Sequence, residues 1–298
     1  MMAGVYASNG IFLADLTNTQ NRINQETQQI SSGIRVNQAS DDPGAVPDIL
    51  SYQQSIATAT QVQKNLSGAL TEAQAADGAL QTASTLMDQL VSLASQGASS
   101  TSAASDASLA ERVQAIGQQL TAIANTTVQG RYIFGGDASS VTPYSFDTTT
   151  PGWFVAGSTP SNTGVLTDSN GSQITPRMTA QQIFDSPSGS IFQAVHDLGT
   201  ALQSGSQPGA ETALTELKAG VQQLGLASTF YGSVENWIQQ GSQEATSQIN
   251  TLQQALSSVR DTDVAAAATQ LSLDNTALNA ALSAHGTLGN RSLFDFLG

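Results

Sequence analysis

Apolar side chains recur every three or four residues along two long parts of the chain, a spacing that predicts helices. Residues 109–123 carry this spacing without a break, and the segments 49–94 and 234–259 carry it with few exceptions. The stripes are narrow, as in coiled coils, so each helix has to lie against another to bury its apolar residues. At 1.5 Å per residue the helix 49–94 would be roughly 70 Å long. The pattern therefore predicts long helices that pair.

Proline positions separate these helical arms from a different middle segment. None of the eight prolines lies between 48 and 142 or after 208, whereas five of them lie within 137–190. A helix interior excludes proline by about 3 kcal/mol. The middle segment also contains GWFVAG and GVLTD, short β-prone runs between turn residues. We therefore expect a small β-rich domain inserted at 137–190, which leans on the helices because its own core is small.

Together these patterns predict a mainly α fold. Long antiparallel helical rods from both chain arms would form a coiled-coil-like bundle that carries the small β-rich inserted domain. We expect an N-terminal helix, N-terminal rod helices that end in a hairpin, the inserted domain, C-terminal rod helices and a C-terminal helix. These five segments span residues 1–34, 35–136, 137–190, 191–260 and 261–298.

The helices at the two chain ends carry thin apolar stripes, and the sequence ends in an apolar cluster, SLFDFLG. Nothing else in the chain is obviously available to cover these stripes except each other, which favours contacts with a partner. The candidate assembly interface consists of Leu13, Leu16, Ile23, Ile30, Val264, Ala268, Leu271, Leu278, Leu282, Leu293, Phe294, Phe296 and Leu297.

Charge and composition limit the partners. The formal net charge is −14 with only two lysines, so we expect repulsion from nucleic acid phosphates and anionic lipids. No run of eighteen apolar residues predicts a membrane span. The first residues lack the positive region of a cleaved signal peptide, so residence in the cytoplasm is the default expectation, and export would need another route.

Residues for catalysis or metal binding are sparse. There is no cysteine, and the two histidines, His196 and His285, have no metal-ligand spacing around them. We expect no enzyme, no metal and no cofactor. An enzyme within 137–190 remains an alternative, since that segment holds Asp137, Asp147, Asp168 and Asp185. A membrane-active translocator is a third class, although the strongly apolar helix pair that it needs is absent.

An adjacent carboxylate pair, Asp41 and Asp42, stands before Pro43 in SDDPGA. Asp is a favoured helix N-cap and Pro a favoured first helical residue, and the residue before Pro is kept out of the α region. We therefore predict that Asp42 and Pro43 begin the long helix and that the pair is structural. Asp261 and Asp263 in RDTDV are likewise expected to mark a new helix start.

Several stretches resemble the bacterial flagellin family. SSGIRVNQASDDPGA at 31–45 is similar to the family's stretch after the first helix, and NTTVQGRYIFGGD at 125–137 to its G-x-Y-[IL]-F-[GS]-G turn. The turn residues would be Tyr132, Phe134, Gly135 and Gly136. RDTDVAAAATQLSLDNTALNAALSAHGTL resembles the family's C-terminal helix, with Asn275 as a departure. QQIFDSPSGSIFQAVHDL and the closing SLFDFL resemble the family's hook–filament junction members, whereas 137–180 shows no match.

This resemblance implies a structural subunit of the bacterial flagellum, exported unfolded through the flagellar type III channel to the outside of the cell. The terminal helices of neighbouring subunits would pack as inner tubes, with the inserted domain facing outward. The implied role is the junction between hook and filament, and a flagellin that forms the filament itself is the alternative. The implied partners are copies of the chain, a neighbouring hook-associated protein, flagellin and an export chaperone.

Overall fold

The computed structural model describes residues 2–100, 102–157, 160, 163–186 and 189–289. Long helices dominate these residues, which confirms the predicted mainly α fold. The helices are α1 Met2–Ser32, α2 Val46–Ala98, α3 Ala103–Ala124, α4 Ala180–Phe184, α5 Ile191–Gln203, α6 Gln207–Arg260 and α7 Val264–Gly289, with a 3₁₀ turn at Gly136–Ala138. Pro208 lies in the first turn of α6, where a missing N–H costs nothing.

The strands in the described residues form four antiparallel two-stranded hairpins, and each strand has two or three residues. Three of these hairpins lie in the small β region expected at 137–190, and the hairpin of residues 127–132 precedes it, where the N-terminal arm was expected to end in a hairpin. The hairpins pair β1 Thr127–Val128 with β2 Arg131–Tyr132, β3 Tyr144–Phe146 with β4 Phe154–Ala156, β5 Leu166–Thr167 with β6 Gln173–Ile174, and β7 Asp185–Ser186 with β8 Gly189–Ser190.

The chain divides into two compact units, to which α2 and α6 both contribute. Residues 1–57 and 249–298 form the first, here called the terminal unit, and residues 58–248 form the central unit. The segment 137–190 lies inside the central unit and is not a compact unit of its own. Its boundaries as a separate domain therefore stay a prediction, as do those of the other four segments.

In the central unit, α2 and α6 run antiparallel. Gln63 Nε2 donates a hydrogen bond to Thr246 Oγ1 at 2.9 Å, and further along α2 the Ser228 hydroxyl donates to Asp77 at 2.5 Å. The predicted apolar stripes are buried, as their spacing required. The core includes Leu66, Leu80, Met87, Leu90, Val113, Leu120, Val234 and Ile238, all at most 1 % exposed.

The inserted segment is held to the helices by aromatic rings. Phe192 at the start of α5 stacks on Phe154 with ring centroids 4.5 Å apart and on Phe184 at 5.1 Å. Trp153, also buried, lies over Gly199, where a β-carbon would come within 2.1 Å of the indole Cη2. Because these rings bury large apolar areas against α5, the segment shares the core of the helices, as its small size predicted.

The start of α2 differs from the prediction. The helix begins at Val46, and the residues Asp42 and Pro43 form a turn before it, in which Ala45 N–H donates to Asp42 O at 3.1 Å and to Asp42 Oδ1 at 3.2 Å. Asp42 therefore caps this turn and is not the N-cap of the long helix. Pro43 fits the second position of a turn as well as the first position of a helix, which is why the sequence did not separate the two.

The beginning of α7 is where the Asp261 and Asp263 pattern predicts it. Asp263 Oδ1 accepts hydrogen bonds from Ala265 N–H and Ala266 N–H, both at 3.0 Å. It thus satisfies two of the free donors at the helix N-terminus. None of the helices among the described residues combines the length and apolar character that crossing a bilayer requires.

Candidate assembly surface

The helices α1 and α7 pair along a seam in the terminal unit. On α1, residues 12, 16, 19, 23, 26 and 30 are buried or half-buried, and on α7 the same is true of 267, 271, 274, 278, 281 and 285. Both sets advance by alternating steps of four and three, the spacing of a coiled-coil seam. The residues between these α7 positions are exposed. One narrow face of each helix is therefore covered within the chain.

Three contacts show the direction and register of this pair. Near one end the Phe12 ring stacks on the His285 ring with centroids 4.1 Å apart. In the middle, Arg22 Nε donates to Asp274 Oδ2 at 2.9 Å and Arg22 Nη2 to Asp274 Oδ1 at 3.3 Å. At the other end, Thr262 N–H donates to Gly33 O at 2.9 Å. Residue numbers rise on α1 as they fall on α7, so the helices are antiparallel.

The seam accounts for five of the residues predicted to contact a partner. Ile23 is buried, and the other four are half-buried: Leu16, Ile30, Leu271 and Leu278. These side chains face the opposite helix, so α1 and α7 cover them at least in part within the chain, and their contact with a partner stays a prediction. The identical three-four spacing serves a contact within the chain as well as one between chains, so the sequence did not distinguish them.

The other predicted interface residues within the described part of the chain are exposed. Leu13 is 58 % exposed, Leu282 48 %, and Val264 and Ala268 are exposed as well. The final four predicted residues, Leu293, Phe294, Phe296 and Leu297, lie outside the described residues.

Sequence reasoning missed exposed apolar residues away from the stripes. Ile11 on α1 and Leu273 on α7, which is 57 % exposed, do not continue the three-four spacing. At 100° per residue, Leu273 and Leu282 lie on opposite flanks of the α7 seam. The signal available in the sequence was the composition of α7, in which alanine and leucine occur all round the helix. A helix that is apolar on every side is normally buried on every side.

The loop between α1 and α2 joins the ends of α1 and α6. Arg35 N–H donates to Arg260 O at 2.8 Å, and the Arg35 guanidinium donates to Val259 O at 2.6 Å and to Asp42 Oδ2 at 2.9 Å. The carbonyls at the C-terminus of α6 thereby gain a cationic donor, as a helix end favours. The hydrogen bond from Arg35 holds the pKa of Asp42 below its usual range.

Asp41 has a separate task in the same loop. Its carboxylate accepts hydrogen bonds from Asn37 N–H at 2.9 Å and Gln38 N–H at 2.8 Å. The two carboxylates of the sequence pair thus serve two different turns.

The predicted G-x-Y-x-F-G-G turn anchors the end of α3. Phe134 is fully buried and meets the rings of Phe184 and Tyr231 edge-on. Gly135 N–H donates to Tyr132 O at 3.1 Å, and a β-carbon at Gly135 would come within 2.9 Å of the backbone at residue 139. Gly136 has a φ of 56°, a region that favours glycine.

The residues considered for catalysis lie apart. His196 Nδ1 is 3.0 Å from the carboxylate of its neighbour Asp197, and His285 stacks on Phe12 in the seam. Asp147 and Asp168 each accept hydrogen bonds within their own turns, and Asp185 accepts from the hydroxyls of Tyr144 and Ser190. No three His, Cys, Asp or Glu side chains in the described part of the chain come together as a metal site.

Comparison with known proteins places the N-terminal arm. Residues 6–139 match the family model of the bacterial flagellin N-terminal helical region. The resemblance inferred from the motifs is thereby confirmed. A curated relative, B-type flagellin of Pseudomonas aeruginosa, is 29 % identical over 117 residues, which are 39 % of this chain and span about a quarter (24 %) of the relative's length.

About 70 % of the chain resembles solved structures of flagellar proteins. A protein described as a flagellar hook-associated protein from Vibrio parahaemolyticus aligns with a TM-score of 0.66 and 17 % identity over 74 % of this chain and 100 % of its own. FlgL of Bacillus cereus aligns with a TM-score of 0.56 and 22 % identity over 68 % of this chain and 97 % of its own. The flagellar junction protein FlgL of Legionella pneumophila aligns with a TM-score of 0.57 and 15 % identity over 71 % of this chain and 99 % of its own. At these identities the likeness establishes the fold.

Proposed function

We propose that the chain is a structural subunit of the bacterial flagellum that forms the junction between hook and filament. The observation that carries the proposal is the α1–α7 pair, which leaves apolar side chains exposed on both flanks of α7, at Leu282 and at Leu273. Exposed apolar residues on both sides of one helix suit contacts with neighbours on both sides. A subunit of a tube has such neighbours.

The junction role is favoured by the fold. The hook-associated and junction proteins named above are covered almost completely by this chain, at 97 % to 100 % of their lengths. The expected partners are copies of the chain, a neighbouring hook-associated protein and flagellin. An export chaperone and a location outside the cell, on the flagellum, belong to the same proposal, and we propose no enzymatic activity.

A filament-forming flagellin is the second candidate. It is favoured by the family of residues 6–139 and by the curated relative, which is itself a flagellin. The family match concerns the N-terminal arm and the curated relative aligns with 39 % of the chain, whereas the likeness to hook-associated proteins extends over about 70 % of it. We therefore place the junction role first.

Electron microscopy of the purified protein under salting-out conditions, with and without hook fragments, tests the proposal. We expect short caps on hook ends and no filaments from the protein alone. Long filaments from the protein alone would support the flagellin alternative. If neither caps nor filaments form, both candidate functions are contradicted.

A matched pair of variants tests the surface. Leu282→Asp should abolish cap formation, because it places a charge where an apolar contact is proposed. Leu226→Asp on α6 in the central unit, where the leucine is 74 % exposed, is the control and should leave the caps intact. Equal effects of the two substitutions would contradict the assignment of the surface to α7.

A further inference from the structure

The facing helices α1 and α7 are nearly devoid of charge. The only Lys or Arg in α1 is Arg22, and the only Asp, Glu, Lys or Arg in α7 is Asp274. These two residues lie opposite each other and form the bidentate ion pair described above, with donor–acceptor distances of 2.9 and 3.3 Å. The one acidic residue of α7, Asp274, therefore pairs with the one basic residue of α1, Arg22.

Asp274 occupies a seam position at which an apolar residue is usual. It is 4 % exposed, and its Oδ1 also accepts a hydrogen bond from Gln270 Nε2 at 3.4 Å. A carboxylate this deep in a seam is costly unless a cation meets it. In coiled coils, one polar residue at such a position specifies which register the helices adopt.

The apolar part of the seam selects a register only weakly. Counting along the helices from the Phe12–His285 and Arg22–Asp274 contacts puts Leu16 near Ala281 and Ile30 near Ala267. A slide of one heptad, about 10 Å, would put Ile23 near Ala267, again a branched side chain next to an alanine. The slide would also put Leu16 near Asp274 and break the hydrogen bond from Thr262 N–H to Gly33 O. Asp274 would then lose Arg22 and be left buried without a cation.

We propose that the Arg22–Asp274 ion pair fixes the register in which α1 and α7 pair. Glu26, the other carboxylate of the seam, follows Arg22 by one helical turn, but the hydrogen bonds that the structure describes for the Arg22 guanidinium go to Asp274. The inference concerns pairing within one chain and holds whether the chain forms a junction or a filament. Its test is accordingly independent of assembly.

Disulfide trapping in the full chain tests the register, because the natural sequence contains no cysteine. Thr19→Cys with Leu278→Cys reports the observed register. Thr19→Cys with Leu271→Cys reports a slide of one heptad, and a displacement of about 10 Å is too far for a disulfide. Each reporter pair replaces one threonine and one seam leucine, so the two are matched.

We expect only the 19–278 disulfide when Asp274 is present. Adding Asp274→Leu should raise the 19–271 disulfide at least about tenfold, which corresponds to a loss of ~1.4 kcal/mol of register preference. The exchanged pair, Arg22→Asp with Asp274→Arg, should restore the original pattern.

Three outcomes would overturn the proposal. With Asp274→Leu, an unchanged 19–278 disulfide without the 19–271 product would show that packing alone sets the register. Loss of both disulfides would show that the ion pair is needed for pairing and not for register. Absence of the 19–278 disulfide in the chain that retains Asp274 would show that the helices do not pair in this register.

Discussion

Glu26 lies in the seam of α1 and α7 with its Oε2 atom buried and without a hydrogen-bond partner among the described residues. Burial raises the pKa of Glu26 above its ordinary value of 4.5, and the nearby charge of Asp274 raises it further, while Arg22 acts in the opposite direction. The folded chain therefore binds this proton more tightly than the unfolded chain. The stability that protonated Glu26 contributes is present below its unfolded pKa and is lost as the pH rises through the folded pKa.

Replacing Glu26 by Gln should consequently stabilise the terminal unit at pH 7, because glutamine keeps the shape and removes the poorly solvated charge. The gain should shrink as the pH falls and disappear below the ordinary pKa of 4.5, where Glu26 is neutral in both the folded and the unfolded chain. Amide hydrogen exchange of α1 at the two pH values, with the variant and the natural chain side by side, measures the difference. Faster exchange in Glu26→Gln at pH 7 would show that the carboxylate has a favourable partner.

Asp274 responds to pH in the opposite sense. The hydrogen bond from Arg22 holds its pKa below the ordinary value, so its contribution is present above its unfolded pKa and is lost as the pH falls through the folded pKa. The pKa values of the two carboxylates in this seam thus shift in opposite directions, that of Glu26 upward mainly through burial and that of Asp274 downward through its hydrogen bond with Arg22. The sequence placed Arg22, Glu26 and Asp274 on terminal helices but contained no sign of this pairing, because they are 252 residues apart.

At the scale of elements, the contact of α5 with the inserted segment depends on Gly199. Its missing side chain lets the Trp153 indole approach so closely that a β-carbon would lie 2.1 Å from Cη2 and 2.7 Å from Cζ3. Trp153 cannot shift freely, since it has a φ of 60° and its ring meets Phe146 and His196 edge-on. The glycine is therefore a packing requirement inside a helix.

Gly199→Ala should lower the free energy of unfolding of the central unit by about 1–3 kcal/mol, the usual cost of overpacking a core. Gly232→Ala on α6, where nothing lies within 4 Å of the new β-carbon, is the control and should raise stability by about 0.4–1 kcal/mol. Urea unfolding followed by tryptophan fluorescence gives both values. Equal effects of the two substitutions would contradict the assigned contact.

The elements show which parts of the fold the sequence predicts. Three-four spacing located the long helices because the period of an apolar stripe is set by helix geometry alone. The apolar stripe indicated α6 only from Val234 onward, although the helix begins at Gln207, since alanine and glycine occupy several close contacts in its first part. The β hairpins were predicted only as a region, because strands of two or three residues are too short to show an alternating pattern.

At the scale of the whole molecule, the two units have the same heptad-like apolar stripes but differ in how far these stripes are covered. In the central unit most large apolar side chains of the stripes are buried within the chain, and others, such as Leu70 and Val91, are partly buried against the same core. In the terminal unit one face of α7 is covered by α1, while its flanks remain exposed at Leu273 and Leu282. The candidate surface could be predicted as a region from uncovered apolar residues. Which of them face α1 and which face outward could not, because that depends on the rotation of each helix about its axis.

This division of roles predicts different consequences for two leucines one helical turn apart. Leu278 is half-buried in the seam, whereas Leu282 is exposed on its flank. Leu278→Asp should raise amide exchange along α1 at least about tenfold, because a carboxylate would then be buried against α1 without a partner. Leu282→Asp should leave that exchange unchanged and abolish assembly. In both variants the helices of the central unit should exchange as in the natural chain, since neither leucine belongs to its core.

Hydrogen exchange read by mass spectrometry on each purified monomer, followed by the hook-capping assay, separates the two roles. If Leu282→Asp also opened α1, the leucine would belong to the seam, and the exposed flank would lose its main residue. If Leu278→Asp left α1 protected yet blocked assembly, the seam itself would be the surface that neighbours contact. The proposed roles require two results together. Leu282→Asp must keep amide exchange along α1 slow and lose capping, and Leu278→Asp must make that exchange fast. One face of α7 then contacts α1, and the other contacts neighbouring subunits.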